Sequence, residues 1–445
     1  MRFTRMFLGL IISSKILAAS ISDITKDALK SNAEYIAAIA GLAASQDGLA
    51  LLKSGWLPQL TIDASKGFSD TFPNPNPQAA DVNSAQLLRS ASYGISLNQK
   101  LLDIPSWLGV QKQSYLVKKS LYNVAAMKQE ILHEVATAYF QVLESISAYE
   151  NQKAQLRAYK QQLHQVKREF DVGKSAKPEL VQVESQYFLS EAETLSAKNE
   201  VLHNIQKLSQ MTGKTYKSIN RMVDIIPLKN PAPNKVDSWL DLMLKHNLDL
   251  KSARADLMAS EQEIEIARTS NLPTLAFSTS VSRMRPIIFN QKFSTVRKWD
   301  ISLSWPIFNG GANLARLAQS QHLSAQNRQS FIALQRQMRQ KTINVFYDIR
   351  VGVSRVNAAK KAVSSALTAK EATGHGYFAG TQTNTEVLQS ISRLYSAKLQ
   401  LIKAKYEYLA DVLYLKQLVG ALSERDIANI SRLFSKKTSL SKFYS

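Results

Sequence analysis

The chain has 445 residues, 56 lysines and arginines against 35 aspartates and glutamates, a formal charge of +21, and no cysteine. The missing cysteine excludes disulfide-stapled folds, thiol catalysis and cysteine-ligated metals, while little glycine and proline in so long a chain favours long helices. Beyond the N-terminus no run of about 20 apolar residues occurs, which excludes a polytopic helical membrane protein and leaves a closed barrel as the remaining way to span a bilayer.

The chain opens with the basic segment Met1-Arg2-Phe3-Thr4-Arg5, then apolar Met6 to Ile12, then Leu17-Ala18-Ala19-Ser20. This order predicts a secretory signal over residues 1–19 with cleavage near Ala19; the alternative, given Lys15 inside the apolar region, is the frayed start of a cytosolic amphipathic helix. Cleavage would remove Arg2, Arg5 and Lys15 and lower the formal charge from +21 to +18.

Residues 20–213 and 237–422 read as two structural repeats. Asn32 to Leu60 resembles Asn247 to Leu275, and both helical patterns stop at Leu-Pro, at Pro58 and Pro273. Tyr139-Phe140 matches Phe346-Tyr347, and Phe170-Asp171-Val172-Gly173 with Glu179 matches Tyr377-Phe378-Ala379-Gly380 with Glu386. Each repeat holds a β-hairpin, over 57–103 and 272–309. Leu275, Phe277 and Val281 alternate with serines, and Trp299, Ile301, Leu303 and Trp305 alternate with Lys298, Asp300, Ser302 and Ser304, so one face is apolar and the other hydrophilic.

Each hairpin is followed by a proline-free helical stretch, Ser106 to Phe170 and Ala312 to Gly374, long enough for a rod of roughly 95 Å at 1.5 Å per residue. Returning helices follow at Glu179 to Met211 and Glu386 to Val419. Val181, Phe188, Leu195 and Leu202 align with Leu388, Tyr395, Ile402 and Leu409 at heptad spacing and are read as coiled-coil core. A proline-bearing linker, 214–236, joins the repeats. The basic tail, 423–445, lacks periodicity and is expected to be poorly ordered.

The six histidines show no ligand spacing such as His-Glu-x-x-His, and no phosphate-binding glycine loop occurs. They read as helix-surface residues, with His375 in a glycine-flanked turn. No enzyme activity, cofactor or metal is expected. The charge admits a rival reading, a basic coiled coil binding nucleic acid or an anionic membrane surface. Cations spread along the rods and hairpins inserted at matching places in a repeat argue against it, so nucleic acid is not expected as a partner.

Gly376-Tyr377-Phe378-Ala379-Gly380-Thr381-Gln382-Thr383-Asn384-Thr385-Glu386-Val387-Leu388, with Trp305-Pro306-Ile307-Phe308-Asn309-Gly310-Gly311 and the duplicated element order, resembles the TolC-type outer-membrane efflux proteins across about Asn32 to Leu422. The resemblance implies a mainly α fold with a pair of β-hairpins. Its long antiparallel coiled-coil helices form a periplasmic tunnel, and four strands per chain complete a 12-stranded transmembrane barrel in a homotrimer. It implies a passive exit duct for drugs, other toxic small molecules or secreted polypeptides, served by a periplasmic adaptor and an inner-membrane pump or ABC transporter. Outer-membrane lipid then faces the apolar strand residues. Trp56, Tyr93, Trp299 and Trp305 are interfacial anchors or ordinary core aromatics. Hairpin loops at Asp70 to Gln86 and Met284 to Val296 would lie outside the cell.

Carried over from the family, Glu386 matches an aperture acid, Tyr377 a gate tyrosine and Glu179 the carboxylate it would bond. Gln389 stands where a second aperture acid is common, Gln382 where a gate arginine often stands, and Pro178 replaces a hydroxyl residue. For Glu179 and Glu386, a helix N-terminal carboxylate favoured by the macrodipole is the alternative reading.

Overall fold

The computed structural model describes residues 19–71, 86–222, 227–285 and 293–444. The expected signal up to Ala18 and the hairpin loops at 72–85 and 286–292 lie outside the described residues. The chain forms two compact units: residues 39–122 with 251–333, and the three segments 1–38, 123–250 and 334–445.

In the first unit, β1 (Gln59–Thr71), β2 (Gln86–Leu102), β4 (Thr274–Arg285) and β5 (Ser294–Ser304) make one antiparallel sheet in the order β1-β2-β4-β5. The two hairpins therefore lie side by side, joined through β2 and β4 with Ile95 opposite Val281. Register puts Leu60, Leu97, Thr279 and Trp299 on one face, and Thr61, Ser96, Ser280 and Lys298 on the other. The apolar face is uncovered: Ile62 is 73% exposed and Trp299 78%. Leu57-Pro58 and Leu272-Pro273 stand between the helices α2 (Ala33–Ser54) and α6 (Leu248–Thr269) and their strands, since proline disfavours helical geometry in the residue before it. α2 is long and apolar enough to cross a membrane by length and composition, yet none of its residues is buried.

At the strand-to-helix junctions the repeat-equivalent Asp103 and Asn309 both accept from a backbone amide. Asp103 accepts from the Ser106 amide at 3.1 Å directly before α3 (Ile104–Asp171); Asn309, three residues ahead of α7 (Ala312–Phe378), accepts from the Asn313 amide at 3.4 Å. Pairs Lys112–Glu263 and Lys119–Asp256, at 2.8 and 2.9 Å, tie α3 to α6. Trp56 is half-buried, whereas Tyr93, Trp299 and Trp305 are exposed.

The second unit holds the C-terminal parts of α3 and α7 with the returning helices α4 (Lys177–Thr212) and α8 (Asn384–Leu418). The expected heptad core divides. Leu388 and Leu409 are buried, but Val181, Phe188 and Leu195 are 49%, 61% and 65% exposed, because α4 turns Leu180, Val183 and Val201 inward instead. His133 also departs from a surface position: it stacks on Tyr414 with ring centroids 5.0 Å apart, and burial lowers its pKa to about 4.

Linker and tail are more ordered than their composition suggests. β3 (Ser218–Met222) in the linker pairs with β6 (Phe434–Ser439) in the tail, and α9 (Glu424–Ser431) and α10 (Ser441–Tyr444) flank that strand. Phe434, Leu440 and Phe443 are buried, Phe434 lying against both Tyr139 and Phe140. The Tyr139 hydroxyl donates to the carbonyl of Asn220 on β3. Spaced apolar side chains anchor the segment despite its lysines.

Candidate functional site

The turns between each rod and its returning helix lie together in the second unit. α3 ends at Gly173, with φ of +75°, and the Lys174 amide donates to the Glu169 carbonyl at 2.7 Å. α7 ends in the same way at Gly380, φ of +76°, with the Thr381 amide on the Gly376 carbonyl at 2.8 Å. Such left-handed closures satisfy the last helix carbonyls and favour glycine. At Gly376 the constraint is steric: a Cβ there would lie 2.6 Å from Cγ of Gln382, where the chain folds back.

The α8 end is built by Thr383 and Glu386. The Thr383 amide donates to the Glu386 carboxylate at 2.6 Å, and the Glu386 amide donates to Oγ1 of Thr383 at 3.3 Å, a reciprocal capping box. The Thr383 amide, then its hydroxyl, hold the Glu386 carboxyl below the usual carboxylate range. Gln382 faces the same carboxylate: with its amide turned to donate, its nitrogen is 2.9 Å from Oε2. Gln389, one turn further, is exposed and accepts a long bond of 3.5 Å from Arg393.

The α4 end is its weaker counterpart. Ala176 occupies the cap position with no side-chain hydrogen bond, Pro178 lies in the first turn, and Glu179 accepts instead from the Ser175 hydroxyl at 2.7 Å. Glu179 is thus not the carboxylate bonded to Tyr377. The Tyr377 hydroxyl donates to Oε2 of Glu169 at 2.6 Å, and Gln165 holds the other oxygen of Glu169 at 3.0 Å. Burial, then the Glu169 carboxylate, push the phenol pKa up. Glu169 carries a negative charge one turn before the α3 glycine, but its sequence position does not disclose a partner 208 residues away.

Beneath these groups Tyr159, Val166, Leu180, Val183, Val387, Leu388 and Ile391 form one buried cluster shared by α3, α4 and α8. Two polar bridges fix their register: Gln162 donates to the buried Asn384 at 2.8 Å, and Thr385 donates to Gln182 at 3.2 Å. Sequence reasoning missed Gln162 and Asn384, because a buried amide pair has no local signature. The packing brings Tyr377 to Glu169 across the two turns, and Gln382 to Glu386 at the start of α8. These are capping carboxylates, amides and a bonded phenol, groups that attract cations and hold helices in place. Among the described residues no His, Cys, Asp and Glu group has the arrangement of a metal site.

The outer membrane efflux protein family matches residues 24–214 and 239–421. The outer membrane protein TolC of Escherichia coli strain K12 is 28% identical over 441 residues, covering 96% of this chain and 87% of that protein. The alkaline protease secretion protein AprF of Pseudomonas aeruginosa is 25% identical over 416 residues, covering 92% and 85%. Among solved structures, CusC superposes with a TM-score of 0.79 at 17% identity over 91% of this chain and 93% of its own, which shows a shared fold. The Campylobacter jejuni CmeC outer membrane channel superposes equally well, at 0.79 and 16% identity over 93% and 90%. Duplicated helix, hairpin, rod and returning helix, matched to one family across both repeats, show that the chain belongs to the outer membrane efflux protein family.

Proposed function

We propose that three copies of this channel protein close their sheets into a single 12-stranded barrel, continued by a helical periplasmic tunnel. The observation that carries this reading is the sheet itself: β1 and β5 are its two outer strands, and its apolar face is exposed. In hydrocarbon an unpaired strand edge is too costly to persist, so β5 of one copy must meet β1 of the next. The uncovered stripe Val181, Phe188 and Leu195 and the unburied helix α2 call for neighbouring copies in the same way.

Within such an assembly the turns would surround one axis and form the periplasmic aperture. Glu386 and Gln389 line it, Gln382 bears on the Glu386 carboxylate, and Tyr377 with Glu169 holds the two turns of each chain closed, Glu179 stiffening the outer one. The duct itself is passive. An inner-membrane pump, proton-driven or an ABC transporter, would supply the energy, with a periplasmic adaptor joining pump to duct. Cargo would be toxic small molecules or secreted polypeptides, and relatives named for protease secretion favour including the latter. Purification in detergent tests the assembly. A trimeric mass, a β contribution in circular dichroism and single-channel conductance in a planar bilayer are expected; a monomer without conductance would overturn the proposal.

A further inference from the structure

The apolar face of the sheet does not stay apolar to its end. On the same face as Ile62, Ile95, Val281 and Trp299, and toward the loops that join β1 to β2 and β4 to β5, stand Lys66, Arg283, Arg285 and Arg297. Register places them as neighbours. Arg297 lies opposite Val281, Arg283 two residues further along β4, and Arg285 and Lys66 both oppose Ala91, from either side of β2. Neighbouring strands are about 4.8 Å apart, so Arg285 and Lys66 stand on the order of 10 Å apart and Arg283 and Arg297 about 7 Å.

All four side chains are exposed, and among the described residues none is in an ion pair. Asp63 and Asp300, by contrast, alternate onto the opposite, hydrophilic face with Ser65 and Ser278, and Asp300 accepts there from Ser278 at 3.2 Å. By the same register Asp70 is the one acid of β1, β2, β4 and β5 on this face, one position beyond Phe68 at the loop end of β1. Like charges so spaced repel unless an anion lies between them. Arg283 is also braced: its guanidinium sits 5.4 Å from the Phe293 ring, which contacts Tyr93 at 6.0 Å. An aromatic row topped by guanidinium groups matches the level where hydrocarbon gives way to headgroups.

We propose that Lys66, Arg283, Arg285 and Arg297 form a girdle that binds the phosphates of the phosphorylated glycolipid in the outer leaflet. The inference rests on the barrel reading above, which turns this face to lipid and the loops to the cell exterior. Guanidinium forks pair bidentately with phosphate oxygens, and a headgroup bearing two phosphates spans two such cations at the register distances.

The test uses the full-length trimer in detergent with a bis-phosphorylated glycolipid, its dephosphorylated form and inorganic phosphate, bound lipid being counted by native mass spectrometry. One cation beside an anionic lipid surface changes binding by roughly fivefold. The wild type should therefore prefer the phosphorylated lipid by at least about tenfold. Changing all four cations to Gln should abolish the preference, whereas Lys298→Gln on the opposite face should leave it intact. Equal binding of both lipids by wild-type trimer, or full displacement by millimolar phosphate, would overturn the girdle and leave the channel reading standing. A wild-type chain that is monomeric and lacks β signal would overturn the barrel first, and the girdle with it.

Discussion

Tyr377 and Glu169 meet across the two turns through one short hydrogen bond, and Glu179, the partner suggested by family resemblance, is occupied by Ser175. A hydroxyl bonded to a carboxylate contributes about 1.5–3 kcal/mol when well buried, and partial exposure here favours the lower end. Tyr377→Phe keeps the ring in its cluster and removes only the bond. It should lower the thermal midpoint of the trimer and raise the open fraction in bilayer recordings. Glu169→Gln should produce nearly the same change, and the double variant little more than either alone, since one interaction is lost once. Glu179→Gln should show no coupling to Tyr377→Phe. Additive effects of the Tyr377 and Glu169 variants would show that the phenol acts through packing only.

At the scale of elements, the tail shows what local pattern reveals and what it hides. Phe434 is 3% exposed and stacks on Phe140 with centroids 5.8 Å apart. Phe434→Ala should cost about 3–5 kcal/mol by cavity formation, far more than loss of an aromatic from a frayed tail. A thermal midpoint unchanged in Phe434→Ala would show that β6 does not hold the unit. The hairpins, rods and Leu-Pro stops were legible because their information is periodic and stated twice: alternation at Leu275, Phe277 and Val281 reappears, less cleanly, in β1. β3 and β6 were not, since two short strands pair across more than 200 residues and the lysines of β6 obscure a buried face. The heptad at Val181, Phe188 and Leu195 was legible as a helix stripe, but spacing alone does not say which chain covers it. At the turns, Glu386 could be recognised as a helix-start carboxylate from the Thr-x-x-Glu order at Thr383, whereas the exchange of Glu179 for Glu169 depends on side-chain directions at two helix ends.

For the whole molecule, a chain with net charge +21 would place an acid at its narrowest point. In a trimer three copies of Glu386 would ring the axis, each with its carboxyl held below the usual carboxylate range by the Thr383 amide and hydroxyl. Focused negative potential in a narrow duct favours cations and admits divalent block. Charge and cap can be separated, because glutamine at this position also completes a capping box. Glu386→Gln should preserve thermal stability and assembly, reduce cation over anion selectivity and weaken divalent block. Thr383→Ala should do the reverse, lowering stability by about 1 kcal/mol per chain while retaining selectivity. Planar-bilayer reversal potentials in asymmetric salt, recorded on trimers of both variants, distinguish the two roles. Selectivity unchanged in Glu386→Gln would place the charge filter elsewhere in the duct and leave Glu386 as a helix cap.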